Sequence, residues 1–335
     1  MAQKKQDLKP DTVLKNYWRN NDRFADFFNA VLFEGRQVIK PEELEDDDTE
    51  ESSILEHREF TESIQASRDN IKIQKKSTAY GIELVMLGME SQEHIHYAMP
   101  MRVMGYDYSV YKKQYDINAD KCKGLKDLNG DEFLSGMRKT DKFTAVITVV
   151  VYYGEKPWDG ARSLHEMLNI PEEMKKYVNE YRMILVEARE NNLMLQNENN
   201  VDFFNLLAII LDRSISRSEA KEKAIQYSDR HGTDKSVIMT LAGAANGKID
   251  YNAFEKGDGK MCTLFEEIAR ENEIKGMKQG IKQGIEKGKI EGRAEGIIET
   301  GVDFGLSDKE ILDKLQIKLN ISLQMAQEYF SKYGK

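Results

Sequence analysis

Apolar positions recur at helical spacing over residues 20–34, where Phe24, Phe27, Phe28, Val31 and Leu32 share one side and Asn20 or Asn21 is available as a cap. Two short runs come later, Asn70-Ile71-Lys72-Ile73 and Ile82-Glu83-Leu84-Val85-Met86-Leu87, each of strand length. A helix is predicted over residues 97–115, with Pro100 tolerated because it sits in the first turn. Its core side is read as Met101, Met104, Tyr108, Tyr111 and Tyr115, at spacings of three and four. Arg102, Tyr106, Ser109 and Lys113 form the adjoining polar stripe. Residues 144–153, rich in Val, Ile, Thr and Tyr, predict a buried central strand. Helical patterns dominate after that, at 201–211 and 217–227. The pattern by itself implies a mixed α/β class.

The end of the chain has its own signature. Gly276, Gly280, Gly284, Gly288, Gly292 and Gly296 recur every four residues, with Met277, Ile281 and Ile285 following the first three. Each helical glycine costs roughly 1 kcal/mol relative to alanine, so this helix needs a compensating close approach to another helix. The four-residue period drifts by about 40° per step against 3.6 residues per turn, which favours a right-handed crossing. Ser307-Asp308-Lys309-Glu310 is a capping-box pattern opening a helix with Ile311, Leu312 and Leu315, and Ser322 caps a last one through Tyr329. Gly243, Gly247, Gly257 and Gly259 place a domain boundary at residues 241–262. The expected organisation is 1–240 as one domain (core about 20–210), 241–262 as a glycine-rich linker, and 263–335 as a helical oligomerisation region.

Charge and composition narrow the function. The 335 residues hold enough apolar content, 40%, for a sizeable core. The net charge of −9 argues against a generally basic nucleic-acid coat, but Glu42, Glu43, Glu45, Asp46, Asp47, Asp48, Glu50 and Glu51 supply most of it. That run reads as a solvated, mobile loop, and without it the chain is near neutral, so DNA binding must come from a local patch. The runs 145–153 and 206–211 are far below the roughly 20 residues of a membrane span, and residues 1–10 lack an apolar signal region. Cys122 and Cys262 show no metal or redox spacing and suit a reducing cytoplasm.

The chemistry is concentrated at Asp69 and, twenty-one residues on, Glu90-Ser91-Gln92. Residues two apart on a strand share a face, so Glu90 and Gln92 would project together, and Asp69 on a neighbouring strand could meet them. Two carboxylates so placed suit Mg²⁺, which prefers oxygen ligands and keeps positions open for water and phosphate. The third side chain would orient the attacking water. This is the layout of a metal-dependent phosphodiesterase. Read blandly, Asp69 is a strand-end turn carboxylate and Gln92 a surface amide. Gly88, on the face of Glu90, leaves room for a phosphate backbone or marks a bulge. Asp26 is a candidate third ligand or a solvent-facing helix carboxylate. Arg102 and Tyr106, four apart, could clamp phosphate or form a structural pair, and Lys75 and Lys76 could touch phosphate or sit in a solvated turn. His94 and His96 lack a third soft ligand. Gly243-Ala244-Ala245-Asn246-Gly247-Lys248 falls short of a P-loop, and Asp127-Leu128-Asn129-Gly130-Asp131 fails as a calcium loop because the glycine is misplaced and the twelfth position is Arg138.

Further runs carry a family likeness: residues 24–33 with Val38-Ile39-Lys40-Pro41, Arg68-Asp69, Leu87-Gly88-Met89-Glu90-Ser91-Gln92, and Tyr97-Ala98-Met99-Pro100-Met101-Arg102-Val103-Met104 with Tyr106-Asp107. Val146-Ile147-Thr148, Tyr152-Tyr153-Gly154, Trp158-Asp159-Gly160 and Ser163-Leu164-His165 complete it. In order over about residues 20–210, these resemble the Rpn family of recombination-promoting nucleases and putative transposases, in the PD-(D/E)xK superfamily. The resemblance implies an α/β, restriction-endonuclease-like core, a mixed sheet flanked by helices, with the C-terminal helical extension beyond it. It implies a cytoplasmic Mg²⁺-dependent DNA endonuclease, with Mn²⁺ as a substitute, linked to recombination, mobile DNA or defence and leaving 5′-phosphate and 3′-hydroxyl ends. Asp69, Glu90 and Gln92 would be catalytic, Asp69 and Glu90 (with Asp26 as the third candidate) the metal ligands, and Arg102, Tyr106 and Lys113 the DNA contacts. The expected partners are DNA and further copies of this chain through the helix bearing Gly276 to Gly296, with no membrane. Gln92 stands where the superfamily usually has lysine. The alternative is therefore a catalytically weak or inactive nuclease fold acting as a DNA-binding or oligomer-forming module.

Overall fold

Val13, Leu14, Tyr17 and Trp18 are all buried, so the chain's first helix, α1 (Pro10–Arg19), already faces the core. The computed structural model describes residues 10–46, 70–89, 95–190, 192–244, 249 and 251–334. Asn20 ends α1 in an extended conformation and caps α2 (Asn21–Phe33), accepting from the Arg23 amide at 3.0 Å. The expected helix over 20–34 is thus present, with Phe24, Phe27 and Phe28 buried. Gly35 closes the turn at φ 79°, and a Cβ there would lie 2.5 Å from the Met194 carbonyl oxygen, so glycine is required twice over. Buried Asn29 fixes the next loop, accepting from Val38 and Ile39 at 3.1 and 2.8 Å and donating to the Ile39 carbonyl at 2.7 Å.

Among the described residues the sheet has five strands in sequence order: β1 (Leu44–Asp46), β2 (Asn70–Ser77), β3 (Ile82–Met89), β4 (Ala145–Tyr152) and β5 (Ile184–Glu187). The first three are antiparallel, and β3, β4 and β5 run parallel. Its two faces are distinct. Ile73, Leu84, Met86, Val149, Val151 and Tyr153 meet α1, α2 and α6 (Glu198–Ile210) in the main core, where Trp18, Phe27, Phe203 and Phe204 form an aromatic cluster. Val85, Leu87, Val150 and Tyr152 point the other way, onto α3 (Met99–Lys123) through Met99 and Val103. The architecture is a mixed five-stranded sheet flanked by helices.

Two expectations change at β2. The acidic run is not wholly loop: residues 41–43 form a 3-10 turn and 44–46 the edge strand β1, while the carboxylates from Asp47 onward lie outside the described residues. Lys75 is neither in a turn nor on the surface. It is fully buried in the middle of β2, where Nζ donates to the Arg19 carbonyl at 2.9 Å, to Asn21 Oδ1 at 2.8 Å and to the Asp46 carboxylate. One ammonium thereby joins α1, α2, β1 and β2. Lys75→Met is expected to lower unfolding stability by about 2–4 kcal/mol in denaturant titration, because three oxygens lose their donor, two of them in part-buried bonds to Arg19 and Asn21. It should leave nucleic-acid affinity unchanged.

The helix predicted over 97–115 runs on to Lys123, with Pro100 in the first turn as expected. Its phase differs from the reading. Met101, Met104 and Tyr108 are exposed, and the inward side is Met99, Val103, Asp107 and Val110. Asp107 is drawn inward by hydrogen bonds from the Thr148 and Tyr181 hydroxyls, and burial followed by the bond to Asp107 holds the Tyr181 phenol well above its usual pKa. Satisfied in this way, a carboxylate can occupy a core position that the apolar pattern assigns to methionine and tyrosine.

Beyond β5, α6, α7 (Arg217–His231), α8 (Lys235–Ala244) and α9 (Tyr251–Lys256) complete the first compact unit, Met1–Ile268. The stretch 241–262, expected as a linker, contributes Leu241, Ala242, Ala244, Tyr251, Phe254 and Met261 to the main core. The second unit, Ala269–Lys335, holds most of α10 (Met261–Asp303) with α11 (Asp308–Leu319) and α12 (Leu323–Tyr333). Its core is Ala294, Ile298, Ile311, Leu315, Ala326 and Tyr329. The Ser307–Glu310 capping box and the Ser322 cap form as expected. Gly301 allows close packing, since a Cβ there would lie 2.7 Å from Ile311. Gly284, Gly288, Gly292 and Gly296 would meet no atom within 4 Å, and Met277, Ile281 and Ile285 are exposed. No described helix is long and apolar enough to cross a membrane.

Candidate functional site

The carboxyl ends of the three parallel strands stand in one row, with Met89 of β3 opposite Tyr152 of β4 and Tyr152 opposite Glu187 of β5. Such an edge is where open α/β sheets present ligand-binding groups. On its other side Met89 pairs with Asn70, the first residue of β2. Asp69, Glu90 and Gln92, and His94 with them, lie outside the described residues, each carboxylate one position beyond the Asn70–Met89 pair in sequence.

Several of the motifs that carry the family likeness build the frame of this edge. Gly154 is required by Tyr152, whose ring crosses the backbone there: a Cβ would lie 2.0 Å from the phenol. Trp158 packs edge-on against Tyr152 with centroids 5.3 Å apart, and its indole N–H donates to the Gly160 carbonyl at 2.8 Å. Buried Glu187 accepts from the Trp158 amide at 2.9 Å, from Arg162 at 2.8 Å and from Arg189 at 3.2 Å. Burial, then Glu187 and Asp159, pushes the Tyr152 phenol above its usual pKa, so it stays protonated as a donor. Ser163 caps the short α5 (Leu164–Met167), and His165 sets Nδ1 3.2 Å from Glu180 and Nε2 2.7 Å from the Val178 carbonyl. Glu187 was not singled out in the sequence. Its signal was a carboxylate ending an apolar Ile184-Leu185-Val186 run, which needs a partner.

The remaining candidates separate by face. Asp26 lies on α2, over the face carrying Leu84 and Met86, and is buried. Its Oδ1 accepts from the Gln196 amide at 2.7 Å and its Oδ2 from Asn200 Nδ2 at 2.8 Å. The expectation of a solvent-facing carboxylate is therefore corrected: Asp26 pins α2 to α6 and the segment before it. Arg102 and Tyr106 lie on α3, over the opposite face, with Arg102 Nη2 donating to the Tyr106 hydroxyl at 3.2 Å, and Lys113 is exposed on the same helix. His96 is largely exposed, and partial desolvation followed by the charge of Arg102 lowers its pKa, so it is neutral near pH 7. Among the described residues, no group of three or more His, Cys, Asp or Glu is placed to hold a metal ion. Near the failed calcium loop, Asn129 instead forms a capping box with Glu132 at α4 (Gly130–Ser135), and Arg138 pairs with Asp127.

Comparison with known proteins identifies the chain over most of this unit. No curated protein and no solved structure matches it. A family model described as "Putative transposase, YhgA-like" matches residues 9–222, from α1 through the sheet to α7. The chain belongs to this family of YhgA-like putative transposases, in agreement with the likeness its motifs carry.

Proposed function

We propose that the protein is a metal-dependent DNA endonuclease with a PD-(D/E)xK-type core. The observation that carries this reading is the β2–β3 register, which ends at Asn70 and Met89 with Asp69 and Glu90 next in sequence on either strand. Continuing that antiparallel ladder by one residue on each side would set the two carboxylates opposite each other on one face, since paired residues share a face. By the same alternation that face is the one Asp26 stands over. Family membership supports action on mobile DNA.

Bound Mg²⁺ would supply Lewis acidity toward the phosphate and a lowered pKa for its water. Asp69 and Glu90 would hold the cation, and Gln92 would hold the attacking water or a phosphate oxygen through its amide. Arg102, Tyr106 and Lys113 stand on the helix over the opposite face of the sheet, so their contacts with the strand would lie away from the cation. Gln92 carries no charge, so Gln92→Lys is expected to keep or raise the cleavage rate by restoring a cation beside the attacking water. A clear loss of rate in plasmid nicking would count against this assignment of Gln92. The rival reading, a weak or inactive nuclease fold acting as a DNA-binding or oligomer-forming module, is favoured by Gln92 and by the uncovered glycine face of α10. Nicking assays with Mg²⁺ or Mn²⁺ separate the two.

A further inference from the structure

One side of α10 is apolar in its first part, bare in its middle and acidic in its last part. Ile274, Met277, Ile281 and Ile285 are 37, 62, 57 and 57% exposed. At about 100° per residue they fall within roughly a quarter of the helix circumference. Gly284, Gly288 and Gly292 continue that side and would meet no atom within 4 Å. Glu295 and Glu299 end it, and both are exposed. Ala294 and Ile298, which pack in the core of the second unit, lie off this side. Glutamates four apart on a helix repel each other, so Glu295 and Glu299 do nothing for the stability of α10 itself.

We propose that this side is covered by the same side of a second copy running antiparallel, with the two-fold axis at Glu286, the midpoint between Gly276 and Gly296. Parallel and antiparallel pairs both set glycine against glycine, and charge chooses between them. In a parallel pair Glu295 and Glu299 would each meet their own counterparts across a close contact, which costs stability. In the antiparallel pair Glu295 comes to the height of the partner's Met277, which Lys275 and Lys278 flank in sequence. The apolar half of each helix then lies along the acidic half of the other, and Gly284 faces the partner's Gly288. A polyanion would be repelled by Glu295 and Glu299, and an unrelated apolar helix would leave both unpaired. The contact uses the same patch on both copies, so it closes at a dimer. The proposal rests on association through the glycine ladder and supplies its direction and copy number.

Met277→Cys and Glu295→Cys in the full-length protein read the direction. The two positions stand about 27 Å apart along one helix, too far for a disulfide within a chain. Under mild oxidation the double variant should form covalent dimers, and neither single variant should do so beyond the parent, which carries Cys122 and Cys262 as the blank. Independently, Glu295→Gln combined with Glu299→Gln should weaken the dimer about tenfold in sedimentation at low salt, because it removes attraction to the facing lysines. In a parallel pair the same change would relieve repulsion and tighten it. Cross-linking by either single variant, or tightening on neutralisation, overturns the proposal. A dimeric parent whose double variant fails to cross-link rejects the antiparallel direction and keeps the self-association. A parent that is monomeric at micromolar concentration rejects both.

Discussion

Replacing Asp69 or Glu90 with alanine is expected to reduce metal-dependent DNA cleavage at least about 100-fold and leave the protein folded. The size of the effect follows from the role: a lost metal ligand removes several kcal/mol of charge stabilisation in the transition state, and each 1.36 kcal/mol is a factor of ten in rate. The preserved fold follows from chemistry: each substitution removes a carboxylate and not an apolar side chain, and the main core among the described residues is built from α1, α2, α6, α8 and the interior of the strands. Single-turnover cleavage of a labelled duplex, with a thermal melt of each variant, checks both halves. Undiminished cleavage by both variants would place the chemistry elsewhere in the chain.

The second large effect is expected at the glycine ladder. The described glycines of the ladder, Gly284, Gly288, Gly292 and Gly296, would meet nothing within 4 Å, and Met277, Ile281 and Ile285 are 62, 57 and 57% exposed beside them. Six glycines in one helix cost roughly 6 kcal/mol relative to alanine, and the second unit's own core begins further along, at Ala294 and Ile298. Backbone-to-backbone approach of a second α10 would recover that cost and bury the adjacent apolar side chains. Changing Gly280, Gly284 and Gly288 to leucine should therefore turn oligomers into monomers while raising intrinsic helicity. Light scattering at micromolar concentration decides it: a parent that is already monomeric, or a leucine variant that associates like the parent, contradicts the idea.

The readable parts of the fold were those where local rules and burial agree. Phe24, Phe27 and Phe28 with the Asn20 cap, the Val-rich central strand, and the Ser307–Glu310 box all appear where pattern places them. The misreadings at Lys75, Asp107 and Asp26 share one cause, polar groups buried with their partners. Lys75 extends β2 through what looked like a turn, because three oxygens wait for its ammonium. Asp107 reverses the phase of α3, and Asp26 is held by Asn200 and Gln196, 174 and 170 residues away, which no local pattern records. Residues 10–19 form a helix that was not read, and Tyr17 in it finds its partner at Asn200, 183 residues on. The candidate metal ligands were legible as residue types and as strand-end positions, but their convergence depends on backbone beyond Asn70 and Met89.

The central claim is that this chain hydrolyses DNA with a divalent cation, and nicking of supercoiled plasmid by the purified wild-type protein tests it most directly. The expected result is open-circular product in Mg²⁺ or Mn²⁺, none in EDTA, and recovery when excess Mg²⁺ is returned. No nicking with either cation, or nicking that persists unchanged in EDTA, would contradict the account.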